Sequence, residues 1–107
     1  MFYVRWLIKI HQAQIQSLIE YAKSIGITEF KVFGSIVRGE DTEQSDVDLL
    51  VSANPGYSLF KLLGLVERFQ DLLGVKVDIV VESEVPNYMQ HIKDEAHDLI
   101  NFIVSQK

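Results

Sequence analysis

The sequence predicts a small α/β or α+β domain in which helices pack on a mixed β-sheet. Three short runs rich in Val, Ile and Phe, at 27–33, 45–52 and 75–81, have the length and composition of strands. Two longer segments, 8–25 and 58–73, carry apolar residues at the three- and four-residue spacing of a helix. Because helical and extended segments alternate along the chain, we expect both kinds of element to share one core.

The first helix is predicted over residues 8–25, where apolar residues recur at helical spacing until Gly26 ends the pattern. Residues 1–8 are also apolar. The sequence leaves open whether they form the first turns of a helix or an extension that packs against a partner.

The first strand, residues 27–33, leads directly into Gly34-Ser35. Residues 35–38 can form one helical turn, and residues 40–44 are expected to be an exposed acidic connection. The second strand then covers residues 45–52. The most informative residues of the chain lie in this part of the sequence.

The second half of the chain predicts a helix, a strand and a last helix. A turn at 54–56 precedes a helix over 58–73, whose first residue, a serine, suits the N-cap. Gly74 ends this helix, residues 75–81 form the third strand, and a last helix is predicted over 86–103. The apolar stripe predicted for the 58–73 helix consists of Leu59, Leu62, Leu63, Val66, Phe69 and Leu73.

Composition limits the classes of function. The 107 residues, of which 48% are hydrophobic, suit one small domain over residues 1–107. Ten basic and fifteen acidic residues give a net charge of −5, which argues against binding to nucleic acid. The absence of cysteine excludes disulfides and thiolate zinc sites, and Arg5 interrupts an apolar start that is too short to span a membrane. We therefore expect a cytoplasmic protein that does not bind membranes.

Two carboxylates, Asp46 and Asp48, begin the second strand and are separated by one residue. The two-residue period of a strand places both on one face, whereas Val47 and Leu49 point to the other face. Two like charges held close together repel each other, and a cation between them would relieve this. Mg²⁺ is commonly held by one or two carboxylates together with water and phosphate oxygens. The pair therefore predicts a Mg²⁺ site, and the alternative is an acidic strand end that faces solvent.

A third acid, Asp78, is the one acid in the third strand, on the face opposite Val77 and Ile79. If this strand lies beside the second one, the three carboxylates converge on one point. Such a site could hold two metal ions for a phosphoryl or nucleotidyl transfer. The structural alternative is an ion pair between Asp78 and Lys76.

The Gly34-Ser35 turn is the candidate phosphate-binding element. Glycine lets the backbone approach a ligand closely, and N–H groups that open a short helix would point toward an anion. The alternative is an ordinary turn glycine followed by a helix-capping serine. Arg38 could bind phosphate, or it could form a salt bridge to Glu40 or Asp41.

These residues together resemble a known signature. Gly34-Ser35, ten further residues, Asp46-Val47-Asp48 and a later Asp78 resemble the DNA polymerase β-type nucleotidyltransferase superfamily. With Arg38-Gly39 and Ser45, the chain is most similar to the small MNT-type (minimal nucleotidyltransferase) proteins of prokaryotes. The resemblance implies a polymerase β-like nucleotidyltransferase fold.

The resemblance also implies a reaction, the transfer of AMP from ATP to a hydroxyl group with two Mg²⁺ ions. The triphosphate would lie over Gly34-Ser35 and Arg38. Asp46 and Asp48 would hold Mg²⁺, and Asp78 would act as general base or as a ligand of the second ion. Attack at the innermost phosphorus would release pyrophosphate.

A helical partner of the HEPN type, often a ribonuclease toxin, is implied by the same resemblance. MNT-type antitoxins bind such partners and in some cases adenylylate them on a tyrosine. Larger members of the superfamily carry extra domains for the base and the acceptor, and we expect a partner to replace them here. The acidic charge would suit a basic toxin. The apolar N-terminal stretch and the last helix are the candidate contact surfaces.

Two other functions stay open at this point. The protein could be a binding module that neutralises its partner by occlusion, although the presence of all three acids counts against a vestigial site. It could also be a small-molecule nucleotidyltransferase of the aminoglycoside-modifying kind, since an acidic cleft could attract a polyamine. Loss of metal-dependent ATP binding would favour the first, and modification of an aminoglycoside by the chain alone would favour the second.

Other polar residues are expected to lie on the surface. Three histidines fall on predicted helices at spacings that do not match a helical metal pair. These are His11, His91 and His97. The acidic residues expected on solvated faces are Glu82, Glu84, Asp94, Glu95 and Asp98.

Overall fold

The computed structural model describes residues 4–106, so residues 1–3 of the apolar N-terminal stretch and Lys107 lie outside the described part. In chain order the helices are α1 (Val4–Ile10), α2 (Gln12–Ser24), α3 (Ser35–Arg38), α4 (Leu59–Leu73), α5 (Gln90–Glu95) and α6 (Leu99–Ser105). The strands are β1 (Ile27–Phe33), β2 (Val47–Ala53), β3 (Val77–Val81) and β4 (His97–Asp98). Two 3-10 turns, Glu82–Glu84 and Asn87–Met89, lie between β3 and α5.

The four strands form one mixed sheet in the order β3-β2-β1-β4. β1 and β2 are antiparallel, β2 and β3 are parallel, and β4 is antiparallel to β1. The parallel pair is joined through α4, which is the kind of crossover that parallel strands require. The predicted α+β fold with a mixed sheet is therefore confirmed.

One hydrophobic core holds the sheet and helices together. Phe30 of β1 and Phe69 of α4 meet inside it, with ring centroids 5.8 Å apart. α2 lies against both β1 and α4, and α6 lies against β1. Among residues 4–106, no helix has the length and apolar character needed to cross a membrane.

Phe69→Ala is expected to lower the free energy of unfolding by about 3–5 kcal/mol, because it leaves a cavity where a fully buried ring packs on Phe30. Urea denaturation measures this change. Phe60→Ala in the same helix is the control, since Phe60 is 86% exposed; its effect is expected to stay within about 0.5 kcal/mol. Equal losses in the two variants would contradict the packing of α4 described above.

The ends of α4 are as predicted, and its buried face is confirmed in part, since Leu62, Phe69 and Leu73 are buried. The Ser58 side chain accepts a hydrogen bond from the Lys61 backbone N–H, and Gly74 ends the helix with a positive φ of 70°. Leu59 and Leu63 were predicted in the core but are exposed, and Leu65 is buried instead. Successive helical residues are rotated by about 100°, so a stripe centred between Leu65 and Phe69 turns the two exposed leucines to its flank.

The predicted helix over residues 8–25 is interrupted at His11, where the backbone has φ −103° and ψ 20°. Residues 4–8 belong to α1, so this part of the apolar N-terminal stretch is helical. The break lets Ile8 of α1 and Ile15 of α2 enter the same core, with 1% and 0% of their surfaces exposed. Helical spacing alone continues across this break and does not reveal it.

The predicted last helix over residues 86–103 was wrong. The chain there forms a 3-10 turn, α5, the short strand β4 and α6. His97 and Asp98 therefore lie on a strand, paired with Val32 and Lys31 at the edge of β1. In a continuous helix, the backbone N–H and C=O groups of this segment would bond within the helix. Here the pairing of β4 with the free edge of β1 satisfies them, and it outweighs the helical pattern of the sequence. This strand carries the end of α5 to the candidate site.

Candidate active site

The candidate site lies where β1 ends and where β2 and β3 begin. Asp48 of β2 is paired with Phe33 of β1 on one side and with Asp78 of β3 on the other. Gly34 directly follows Phe33. The expectation that the strand of Asp78 lies beside the strand of Asp48 is confirmed, and the pairing brings a glycine turn and two acids to one edge.

Asp48 has the most perturbed acidity at this edge. Burial, as the largest cause, and the nearby charges of Asp78 and Asp46 together raise its pKa to about 6. Arg38 opposes these effects, whereas Glu95 adds to them. Three other carboxylates therefore act on Asp48, so negative charge is concentrated around it.

The carboxylates do not form a metal cage of their own. Within residues 4–106, no three His, Asp or Glu side chains are placed so that they could hold a metal ion. Asp46 lies just before β2 and Asp78 forms a 3.5 Å ion pair with Lys76, but both acids are close enough to act on the charge of Asp48. Their use as joint metal ligands stays a prediction. Mg²⁺ needs only one or two carboxylates when phosphate oxygens and waters complete its shell. The oxygen donors and their excess charge thus fit Mg²⁺ held jointly with a phosphate ligand.

A glycine is required at position 34 by the backbone conformation there and by the closeness of the Asp48 side chain. Its φ of 82° and ψ of −152° lie in a region that is essentially restricted to glycine. A Cβ at this position would overlap Oδ2 of Asp48 and lie 3.2 Å from its Cγ. The Asp48 carboxylate therefore lies directly against the backbone of Gly34.

Ser35 begins α3, and the predicted helical turn at 35–38 is confirmed. The backbone N–H groups of Val37 and Arg38 both donate to the carbonyl oxygen of Gly34, at 3.1 and 3.2 Å. Gly39 ends the turn in the left-handed conformation, with φ 73°. The turn thus fixes the direction in which Arg38 leaves the backbone.

Arg38 is paired with two carboxylates at once. Its Nε lies 2.8 Å from Oε1 of Glu40, and its Nη1 lies 2.7 Å from Oε1 of Glu95. The hydrogen bond to Glu40 is the main cause of its raised pKa, and the charges of both acids contribute. The salt bridge to Glu40 is one of the structural roles that the sequence left open for Arg38.

Glu95 is a member of the site that the sequence placed on a solvated face, and this was wrong. Its Oε1 accepts a hydrogen bond of 3.0 Å from the backbone N–H of Gly34, in addition to the bond from Arg38. Only 20% of its side chain is exposed. The pairing of β4 with β1 brings it there, and no local motif around residue 95 signals this long-range contact.

The acidic connection between α3 and β2 is also not fully exposed as predicted. Asp41 is buried, with 4% of its surface exposed. Its carboxylate accepts a 3.2 Å hydrogen bond from the backbone N–H of Arg5 and lies 3.5 Å from the Arg5 Nε. Ser45 Oγ accepts a 2.8 Å bond from the backbone N–H of Thr42. These contacts fix to α1 the loop that ends at Asp46.

Comparison with known proteins identifies the class of this fold and site. A family model described as a nucleotidyltransferase domain matches residues 15–103. The chain therefore belongs to the nucleotidyltransferase domain family and is an enzyme. Within the family it is of the minimal, MNT type, as its relatives indicate.

Three similar proteins support this assignment. The chain is 46% identical over 66 residues to the protein adenylyltransferase MntA of Thermococcus cleftensis, covering 62% of this chain and 67% of the relative. A solved structure of a proposed minimal nucleotidyltransferase is 33% identical, with a TM-score of 0.71 over 84% of this chain and 93% of that chain. A toxin–antitoxin crystal structure with AMP-PNP is 20% identical, with a TM-score of 0.66 over 86% of this chain and 80% of that chain. The last comparison concerns the fold alone.

Proposed function

We propose that this enzyme transfers AMP from Mg²⁺-bound ATP to a hydroxyl group of a partner protein. One observation carries the proposal: the Asp48 carboxylate rests against Gly34, with Asp78 beside it on the neighbouring strand. A backbone that phosphates can approach closely and an acid that can share a cation with them thus occupy the same place.

Each site residue has a role in the proposed reaction. Gly34-Ser35 and Arg38 bind the triphosphate of ATP. Asp46 and Asp48 would hold Mg²⁺ together with phosphate oxygens, and Asp78 would be a ligand of a second ion or the general base. The metal, when bound, neutralises charge that develops on the phosphate oxygens during transfer.

The proposed chemistry is an in-line displacement at the innermost phosphorus of ATP. The acceptor hydroxyl oxygen forms the new bond to this phosphorus, the bond to the bridging oxygen breaks, and pyrophosphate leaves. Asp78 lies near the start of β3, beside Asp48, and in this proposal it takes the hydroxyl proton unless it serves as a metal ligand. Asp48 and Arg38 act by binding and orientation, since neither gains or loses a proton in the transfer.

The proposed acceptor is a tyrosine hydroxyl on a HEPN-type toxin, for which this chain would be the antitoxin. Support comes from the 46% identical relative, which is named a protein adenylyltransferase, and from the fold shared with a toxin–antitoxin complex that contains AMP-PNP. The net charge of −5 suits a basic protein partner and disfavours nucleic acid. The proposal treats residues 1–107 as one catalytic domain that works in the cytoplasm.

The test uses ATP labelled on its innermost phosphate, with Mg²⁺, the purified protein and a lysate of the source organism. A labelled protein band is expected, and it should fall to background in the variant Asp46→Ala/Asp48→Ala. A parallel reaction with ATP labelled on its outermost phosphate is expected to give no band, because AMP and not phosphate is transferred. The band is then identified by mass spectrometry as a tyrosine modified with AMP.

Two outcomes would contradict the proposal. Label from the outermost phosphate alone would indicate phosphoryl transfer. Absence of any label, with Mg²⁺-dependent ATP binding intact and a tightly co-purifying partner, would indicate an antitoxin that acts by occlusion.

A further inference from the structure

Two hydrogen-bond donors at the site converge on a single oxygen. The backbone N–H of Gly34 and the Nη1 of Arg38, from the two ends of α3, both donate to Oε1 of Glu95, at 3.0 and 2.7 Å. Both donors belong to the group proposed to bind the triphosphate. The position of this carboxylate oxygen therefore marks a place where the structure already binds an anionic oxygen.

The contact of Glu95 with its two donors is specific, yet weak enough for a phosphate oxygen to replace the carboxylate. Hydrogen bonds between ionised partners are shorter and stronger than neutral ones, and the 2.7 Å bond from Arg38 fits that description, whereas the 3.0 Å bond from the Gly34 N–H has an ordinary length. The Arg38 side chain is 49% exposed, however, so solvent screens its attraction to Glu95. A polyphosphate carries more charge than one carboxylate and offers more oxygens, so it can compete for the same two donors.

Glu95 also adds to the negative charge that an incoming nucleotide meets. Its charge acts on Asp48 in the same direction as Asp78 and Asp46. A carboxylate in this position thus opposes binding in two ways, since it occupies the donors and repels phosphate. Replacing it with glutamine would remove the repulsion and weaken the hold on the two donors, because a neutral amide oxygen accepts weaker hydrogen bonds than a carboxylate.

The segment that carries Glu95 is lightly anchored. α5 has six residues, of which Ile92 alone is buried, and β4 pairs with β1 through two residue pairs. Short elements with few buried contacts open at a small free-energy cost. Movement of the end of α5 away from Gly34 is therefore compatible with an intact core.

We propose that Glu95 is an internal competitor for the nucleotide, with its carboxylate bound where an oxygen of the triphosphate binds. This inference rests on the proposed function in taking a nucleoside triphosphate as the ligand. ATP binding then requires Glu95 to leave the N–H of Gly34 and the guanidinium of Arg38. The measured affinity is the intrinsic one reduced by the fraction of molecules in which Glu95 has left.

The experiment compares Glu95→Gln with the unaltered protein by isothermal titration calorimetry with Mg²⁺-bound ATP and, separately, with Mg²⁺-bound pyrophosphate. If Glu95 occupies the donors about nine-tenths of the time, releasing them is expected to lower the apparent Kd by up to about ten-fold. Asp94→Asn is the matched control, because it removes one exposed negative charge from the same helix. It is expected to leave both Kd values within about two-fold, as exposed charges are screened by salt.

A second variant separates competition from a general change of charge. In the background Arg38→Met, one of the two shared donors is lost, so the tightening of nucleotide binding caused by Glu95→Gln is expected to be smaller than in the unaltered protein. Circular dichroism and thermal melting of every variant check that the fold is retained, and Glu95→Ala replaces Glu95→Gln if the latter does not fold.

The outcomes distinguish this inference from the proposed function. Tighter pyrophosphate binding in Glu95→Gln, without any AMP transfer by either protein, would support the competitor and overturn the proposed function. AMP transfer by the unaltered protein, with unchanged or weaker binding in Glu95→Gln, would overturn the competitor alone. Equal gains in Glu95→Gln and Asp94→Asn would also overturn it, because a general charge effect would then suffice.

Discussion

Asp48→Asn is expected to abolish AMP transfer and, at the same time, to make the nucleotide-free protein more stable at neutral pH. An amide cannot supply the negative charge that holds Mg²⁺ with the phosphates, so activity is expected to fall by about 10³-fold or more. The stability gain follows first from burial, because a neutral amide costs less to remove from water than a carboxylate, and then from the lost repulsion by Asp78 and Asp46. Asp48→Asn is thus expected to have opposite effects on catalysis and on stability.

The sign of the stability effect follows from the pKa of Asp48, which is raised from an ordinary 3.8 to about 6. The folded protein therefore holds this proton more tightly than the unfolded chain does. The free energy of unfolding is expected to fall as the pH rises from about 4 to about 6, and to stay lower above that range. Because Asp48 is partly open to water, ionisation costs only on the order of 1 kcal/mol at neutral pH.

Differential scanning calorimetry of the Mg²⁺-free protein, at pH values from about 4 to about 7.5, measures this change in stability. Asp48→Asn is expected to raise Tm by about 4–8 °C at neutral pH and to remove the decline between the two limits. Asp71→Asn, which alters an exposed acid on α4, is the control and should follow the unaltered protein. Parallel curves for all three proteins would show that Asp48 carries no charge strain.

Local sequence patterns were sufficient to predict where Gly34, Asp48 and Asp78 lie in the fold, at the centre of the candidate site. The alternation around Asp48 fixes which face it occupies, and the glycine at position 34 indicates a backbone that other residues do not adopt. The apolar run around Asp78 predicts a strand, and a parallel neighbour needs only a crossover helix, which the 58–73 pattern supplies. Each of these inferences depends on residues that are close in sequence, which is why the structure agrees with them.

The rest of the site depends on contacts between distant parts of the chain. Glu95 meets the N–H of Gly34 across 61 positions, through a two-residue strand that is too short to leave a period in the sequence. Asp41 is buried because α1 presents Arg5 to it, 36 positions away. Charged residues in a polar run normally face water, so neither position could be distinguished from a solvated surface until the fold was known.

Gly34→Ala is expected to lower the free energy of unfolding by about 3 kcal/mol, since two costs combine at this position. The first is the backbone, because φ 82° with ψ −152° is costly for any residue with a Cβ. The second is steric, because the new methyl group would overlap Oδ2 of Asp48. The Asp48 carboxylate would have to move from the site, so Mg²⁺-dependent ATP binding is expected to be lost as well.

Gly56→Ala separates the two costs, because Gly56 has φ 81° but no atom within 4 Å of an added Cβ. Urea denaturation is expected to show a loss of about 1–2 kcal/mol for Gly56→Ala, which is the backbone cost alone. The larger loss in Gly34→Ala should shrink toward that value in Gly34→Ala/Asp48→Ala, where the overlapping carboxylate is absent. If Gly34→Ala cost no more than Gly56→Ala, the carboxylate would not rest on the glycine.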